Sequence, residues 1–125
     1  MRHKKIGKRL NLKSDHRRSL FKNLAYSLIK KEIVLTTLQK AKELKRFIEP
    51  IINLTKKNSI HNKRKVFSLM KDKGIVKKLF SEIRNRFMHT KGGYTRIIKS
   101  HFRKGDSANM AYIEILRRKK NKIKK

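Results

Sequence analysis

Up to about Phe87, apolar residues recur three or four positions apart, the spacing that places them on one face of an α-helix. Ser14 or Asp15 can cap the first helix, because a short side chain with an oxygen atom accepts a hydrogen bond from a free N–H group of the first turn. The stripe that follows consists of Leu20, Phe21, Leu24, Ala25 and Leu28.

A second apolar stripe predicts a second helix. Thr36 and Gln39 fit a capping box at its start. Pro50 lies within the pattern and cannot donate a backbone hydrogen bond, so we expect a kinked helix that reaches about Lys56. The stripe consists of Ala41, Leu44, Ile48, Ile51 and Ile52.

Two further helices are predicted before the glycines at 92 and 93. The third spans Ser59 to Met70, with Ile60, Phe67 and Met70 expected to face inward. Asp72 can cap the fourth, which carries the clearest helical stripe of the chain. That stripe consists of Ile75, Val76, Leu79, Phe80, Ile83 and Phe87.

The remaining segments favour strands. Residues 32–37 are rich in β-branched side chains, which favours a short strand over a connection between helices. Gly92 and Gly93 permit a turn with positive φ, and the runs 94–103 and 110–116 then flank the turn residues KGDSAN. These two runs predict an antiparallel pair. An isolated pair is marginal in water, so packing on the helices and pairing with 32–37 would stabilise it.

The predicted fold class is therefore α+β, with about four helices packed on a small three-stranded sheet that includes a C-terminal β-hairpin. Residues 1–13 hold few large apolar groups and much positive charge, so we expect an extended basic arm. Residues 14–116 form a single globular domain, and 117–125 form a basic tail.

Net charge decides what kind of partner the chain needs. Lys and Arg total 38 against 8 Asp and Glu, which gives +30 at pH 7. Such charge repels itself within a small domain and calls for an anionic partner, which can be nucleic acid, an anionic membrane or an acidic protein. No apolar run approaches the roughly 18 residues of a membrane span, and the basic N-terminus lacks the apolar core of a secretory signal.

The pattern of reactive residues argues against an enzyme. The acidic residues are scattered singly, and Glu49 and Glu82 fit solvated helix faces. Cysteine is absent, and no two of the five histidines have the spacing of metal ligands. We therefore predict no catalytic site, no cofactor and no metal site.

Nucleic-acid binding explains the charge best. Basic residues occur on the arm, on several helices, on the hairpin and on the tail. A DNA-reading protein concentrates them on one recognition element and its flanks, whereas dispersal is typical of a protein surrounded by folded RNA. The alternatives are an architectural nucleoid-type DNA-binding protein and a membrane-active basic helix.

Several short motifs fall in the order found in one ribosomal family. They are the MRH start, NLA at 23–25, TT at 36–37, KAKEL at 40–44, EP at 49–50, GGYTRI at 92–97 and a MAYIE run near the end. Over nearly the whole chain the sequence resembles the bacterial large-subunit ribosomal proteins of the "L seventeen" family. It departs from the family pattern at Gln39 and Asn109, where many members have proline.

The resemblance implies an α+β domain that binds large-subunit ribosomal RNA near the polypeptide exit side and helps to hold RNA domains together. It also implies neighbouring large-subunit ribosomal proteins as partners, and a place in the cytoplasmic ribosome or an organellar one. We expect no membrane partner and no homo-oligomer.

Charge and the resemblance together mark the residues expected to contact RNA. The arm and the first helix contribute Arg2, His3, Lys4, Lys5, Lys8, Arg9, Lys13, His16, Arg17, Arg18 and Asn23. The second and third helices and their flanks contribute Thr36, Thr37, Lys40, Lys42, Lys45, Lys63 and Arg64. The hairpin and the turn before it contribute Lys91, Gly92, Gly93, Tyr94, Arg96 and Arg103.

Overall fold

The computed structural model of the chain describes residues 13–117. The predicted arm, except for Lys13, and the tail after Arg117 lie outside the described residues.

Helix α1 spans Ser14–Lys31 and buries the side chains of Phe21, Ala25, Leu28 and Ile29. The predicted cap is wrong, because Lys13 occupies the N-cap position and no side chain caps the helix. Asp15 lies in the first turn instead, where its charge complements the positive end of the helix dipole. The helix ends at Glu32 in a left-handed conformation with φ of 65°.

Helix α2 spans Leu38–Thr55 and continues through Pro50, as predicted. Its cap is Thr37, whose side chain accepts a hydrogen bond from the Lys40 N–H at 3.4 Å, and not the predicted Thr36. The difference of one residue arises because strand β1, Ile33–Thr37, runs directly into the helix. The buried residues of α2 include the whole predicted stripe, Ala41, Leu44, Ile48, Ile51 and Ile52.

Helix α3 spans Ile60–Met70 and is capped by Ser59, whose side chain accepts from the Asn62 N–H. Val66 and Met70 face the core. The inward placement of Ile60 and Phe67 is wrong, since their exposed fractions are 70% and 40%. A helix that packs on the core through one face buries only that face. In α3 the buried face carries Val66 and Met70, which lie four residues apart.

The fourth helix consists of three consecutive segments: α4 at Lys73–Lys78, a π-helical turn at Leu79–Ile83, and α5 at Arg84–Phe87. The Asp72 cap is confirmed, because its Oδ1 accepts a hydrogen bond from the Ile75 N–H at 3.0 Å. The predicted stripe is confirmed as well, with Val76 half-buried and the other members buried.

The sheet contains β1, β2 (Thr95–Phe102) and β3 (Asn109–Ile115), in the order β1-β3-β2 with both pairs antiparallel. Ile113 pairs with Val34 on one side and with Ile97 on the other. The hairpin and its pairing with the early strand are therefore confirmed, and with them the α+β fold.

The two faces of the sheet differ. Ala111, Ile113 and Ile115 are buried against the helices, chiefly α2, which also packs on α3. The opposite face carries Leu35, Tyr112 and Ile98, which are partly exposed and lie in one cross-strand row. Helix α2 thus contacts both the sheet and α3.

Candidate nucleic-acid interface

Most of the described residues expected to contact RNA reach the surface. Arg17, Thr37, Lys40 and Lys45 are half-buried. The exposed residues are Lys13, His16, Arg18, Asn23, Lys42, Lys63, Arg64, Lys91, Gly92, Gly93, Arg96 and Arg103. Arg2, His3, Lys4, Lys5, Lys8 and Arg9 lie outside the described residues. The structure does not bring the exposed residues together in one patch but distributes them over α1, α2, α3 and the hairpin.

Two of the residues expected to contact RNA have buried side chains. Tyr94 is only 2% exposed; its ring packs edge-on against Phe87, with 5.1 Å between ring centroids, and its hydroxyl donates to Asn53 Oδ1 at 3.1 Å. Thr36 is buried beside its strand partner Ala111 on the core side of the sheet. Both side chains therefore pack inside the protein, and their predicted contact with RNA stays a prediction.

Glu49 fixes the start of the hairpin. Its carboxylate accepts hydrogen bonds from the Tyr94 N–H at 3.1 Å, from the Thr95 N–H at 2.9 Å and from the Thr95 hydroxyl at 2.7 Å. The solvated helix face expected for Glu49 is therefore wrong. Since the donors and the acceptor are 45 and 46 positions apart in the sequence, no local pattern could reveal this role.

The turn before β2 uses one glycine for its conformational freedom. Gly93 has a φ of +68°, whereas Gly92 does not adopt a positive φ. The expectation is thus confirmed for Gly93 alone. On the other side of the turn, Lys56 Nζ lies 4.9 Å from the Tyr94 ring centroid and donates to the Thr90 carbonyl oxygen. Helix α2 therefore holds this turn through both Glu49 and Lys56.

A charged cluster joins the end of α1 to the fourth helix. The Glu32 carboxylate accepts two hydrogen bonds from the Arg86 guanidinium, and Lys78 Nζ lies 3.3 Å away. Burial raises the pKa of Glu32, but the hydrogen bonds and the charges of Arg86 and Lys78 outweigh burial and hold the pKa below its usual value. Glu32 is therefore ionised and paired across the neutral pH range.

Two of the hairpin arginines expected to contact RNA also pair with acids. Arg96 donates two hydrogen bonds to Glu114 on the outer face of the sheet. Arg103 donates to Asp106 within the hairpin loop, where this hydrogen bond and one from the Ala108 N–H lower the pKa of Asp106 to about 2. The two arginines are exposed, but their orientation is set by these carboxylates.

The other acids are similarly occupied. Glu43 lies 3.6 Å from Arg46, Glu82 lies 4.0 Å from Arg86, and Asp72 caps α4. All eight acidic residues of the chain are described, and all but Asp15 have a hydrogen-bond or ion-pair partner among residues 13–117. The acidic side chains therefore stabilise the fold through these contacts. They neutralise only a small part of the positive charge, and the rest remains at the surface.

The structure contains one basic surface that the sequence did not predict. An open groove of about 600 Å³ lies between α3 and α4, and its lining includes Lys63, Arg64, Phe67, Lys73, Lys77 and Phe80. We call it the basic groove. Lys63 and Arg64 were expected to contact RNA, but Lys73 and Lys77 were not. The spacing of the lining residues repeats on each helix, but only the packing of the two helices shows that the two sets face each other.

Within residues 13–117, no helix is both long and apolar enough to cross a membrane. The same residues contain no group of three or more His, Cys, Asp or Glu side chains arranged to hold a metal ion.

Comparison with known families gives a match that covers most of the chain. The family described as "Ribosomal protein L17" matches residues 20–116, a region that begins within α1 and ends just after β3. The match includes the Glu49 contact with the hairpin, the sheet and the basic groove. The chain therefore belongs to the ribosomal protein L17 family, whose members are structural components of the large ribosomal subunit.

Proposed function

We propose that this chain binds folded large-subunit ribosomal RNA on several of its faces and bridges separate RNA segments. The observation that carries the proposal is the distribution of charge. Nearly every acid is used inside the protein, while exposed Lys and Arg side chains lie on α1, α2, α3 and the hairpin. Each phosphate neutralised by such a side chain releases counterions and adds affinity that does not depend on sequence.

The separation of the basic surfaces supports bridging. Helix α2 packs on both hairpin strands and on α3, whereas the hairpin strands and α3 have little contact with each other. Arg103 at the hairpin end and Arg64 on α3 are both exposed, and they belong to elements that are not packed on each other. A single RNA helix in contact with one of these surfaces leaves the other available for a second segment.

The glycine turn is proposed to approach the RNA backbone. Lys91, Gly92 and Gly93 are exposed, and no atom lies within 4 Å of the position that a Cβ would take at either glycine. Residues 2–12 are proposed to add phosphate contacts as an extended arm, and neighbouring large-subunit proteins are proposed as further partners.

Cross-linking in native large subunits tests bridging directly. Lysines of the hairpin (Lys99 and Lys104) and of α3 (Lys63 and Lys65) are exposed and available to a lysine-to-RNA cross-linker. We expect the two pairs to cross-link to RNA segments that are not adjacent in sequence. Cross-links from both pairs to one continuous RNA hairpin would contradict bridging while leaving RNA binding intact.

Competition between RNA and DNA tests the choice of nucleic acid. The purified protein should bind large-subunit ribosomal RNA far more tightly than duplex DNA of equal length at the same salt concentration. Equal affinities in filter binding would support the architectural DNA-binding alternative, which the family match does not favour.

A further inference from the structure

The basic groove consists of two helix faces that repeat the same chemistry. Its α3 wall is formed by residues 60, 63, 64 and 67, and its α4 wall by residues 73, 76 and 77 together with Phe80 of the π-helical turn that follows. Both sets have the i, i+3, i+4, i+7 spacing of one helix face. Apart from Phe80, which is also a core residue, these faces are separate from the core positions Val66, Met70, Ile75 and Leu79. The groove is thus a second, outward-facing side of both helices.

The apolar part of the groove includes an accessible aromatic ring. Phe67 is 40% exposed, whereas Phe80 is mostly buried and forms the floor. Ile60 at the end of the α3 wall is 70% exposed, and Val76 lies half-buried on the α4 wall. Large apolar side chains left uncovered on a chain of this charge mark a surface that a partner covers.

The charged side chains that line the groove are all cationic, and Asn58 and Ser81 add uncharged polar groups. Lys63 and Arg64 on α3 face Lys73 and Lys77 on α4, and no acidic side chain lines the groove. Lys63 Nζ lies 5.9 Å from the Phe80 ring centroid, so a positive charge sits next to the aromatic floor. The nearest acid in the sequence, Asp72, has its Oδ1 directed at the Ile75 N–H.

We infer that the basic groove binds a single unstacked nucleotide of RNA, with its base against Phe67 and its flanking phosphates between the four cationic side chains. The inference rests on the proposed RNA binding and adds a specific site to it. A nucleotide combines a flat apolar face with an adjacent negative charge, which matches an aromatic wall beside lysines and an arginine. The volume of about 600 Å³ lies within the usual range of small-ligand pockets.

Substitution of Phe67 tests the inference. In filter binding to large-subunit ribosomal RNA, we expect Phe67→Ala to weaken affinity by about 5- to 100-fold, the range associated with loss of one base stack. The salt dependence should stay unchanged, because no phosphate contact is lost. Leu69→Ala is the matched control, since Leu69 lies on the same helix, is 41% exposed and does not line the groove.

Two conservative variants separate stacking from simple apolar contact. Phe67→Tyr keeps the ring and should bind RNA like the parent, whereas Phe67→Leu keeps apolar bulk and should bind as weakly as Phe67→Ala. Parental RNA binding by Phe67→Leu would overturn the inference. So would parental RNA binding by Phe67→Ala with weakened incorporation into subunits, because that result assigns the groove to a neighbouring protein.

Ultraviolet cross-linking of native large subunits provides a measurement that needs no variant. Mass spectrometry should find a nucleotide adduct on the peptide that contains Phe67 or on the one that contains Phe80. A chemical cross-link from Lys63 or Lys77 only to another ribosomal protein would overturn the inference. Failure of the parent protein to bind ribosomal RNA is a distinct result, which would contradict the proposed function itself.

Discussion

At the scale of single residues, the acids determine local geometry. Glu49 accepts three hydrogen bonds from Tyr94 and Thr95, and Thr95 is itself buried. A carboxylate offers two oxygen acceptors and no donor, which suits a site where every neighbour is a donor. This pairing explains why Glu49 and the glycine turn form one structural unit although they are far apart in the sequence.

Replacement of Glu49 by glutamine should destabilise the domain. The amide directs an NH₂ group at a backbone N–H or at the Thr95 hydroxyl, so at least one buried donor loses its acceptor. We expect the free energy of unfolding to fall by about 1–3 kcal/mol, measured by urea denaturation. Glu82→Gln is the control; Glu82 is 60% exposed and its ion pair is long, so its loss should change stability little. Equal effects of the two substitutions would contradict the role given to Glu49.

Glu32 makes stability depend on pH. Its pKa is lowered in the folded state, so the ionised form stabilises the fold above the ordinary carboxyl pKa of about 4.3. That contribution is lost as the pH falls through the lower folded pKa. We expect Glu32→Gln to have a lower free energy of unfolding than the parent at pH 7, as measured by urea denaturation. The difference between the two proteins should disappear as the pH falls below 4. A gap that stays constant over this range would show that the ion pairs do not carry the effect.

At the scale of secondary structure, the reliable sequence signals were those whose apolar positions face a single core. The stripes of α1, α2 and the fourth helix met that condition. Helix α3 did not, because Ile60 and Phe67 face the groove and only Val66 and Met70 face inward. Periodicity identifies a helix face but cannot tell whether that face meets the core or a partner.

The candidate site was less predictable than the fold. Charge and the family motifs identified surface residues such as Arg18, Lys42 and Arg64, but they also selected Tyr94, which packs against Phe87. A motif preserves residues needed for folding as well as for binding, and the sequence does not separate them. Contacts between distant segments, such as Arg86 with Glu32, become visible only when the helices are placed.

The two glycines before β2 provide a test at this scale. Gly93→Ala introduces a Cβ at a φ of +68°, which should cost about 1 kcal/mol because left-handed backbone is unfavourable for residues other than glycine. Gly92→Ala is the matched control; it has no positive φ and open space around the added Cβ, so stability should be unchanged or slightly raised. Thermal unfolding of both variants gives the comparison. A Gly92→Ala variant less stable than Gly93→Ala would refute this description of the turn.

At the scale of the whole molecule, nearly all acidic side chains have partners within the protein, whereas many basic side chains are exposed. Residues 2–12 add positive charge at one end of the chain, and Lys13 accepts the first backbone hydrogen bond of α1, from the Arg17 N–H at 2.9 Å. The domain that follows has its own core, so the arm is expected to serve binding and not folding.

Deletion of residues 2–12 tests whether the arm contributes to binding and not to folding. Because Lys13 and its hydrogen bond to Arg17 are retained, we expect the unfolding midpoint of the purified protein to change little, or to rise at low salt as self-repulsion falls. Incorporation into large subunits, measured by gradient sedimentation, should weaken. An arm of unrelated sequence with equal length and charge is the control, and full rescue by it would reduce the arm to an electrostatic tether.

The salt dependence of RNA affinity shows how many of the exposed basic side chains contact phosphates when the protein binds ribosomal RNA. The association constant of the full chain for large-subunit ribosomal RNA should be measured by filter binding over a series of salt concentrations. If about ten dispersed side chains contact phosphates, the logarithm of this constant falls linearly with the logarithm of the salt concentration, with a slope of about −7 to −9. A slope near −2, the value for about two or three phosphate contacts, would show that most of the exposed charge is not at the interface and would contradict the account.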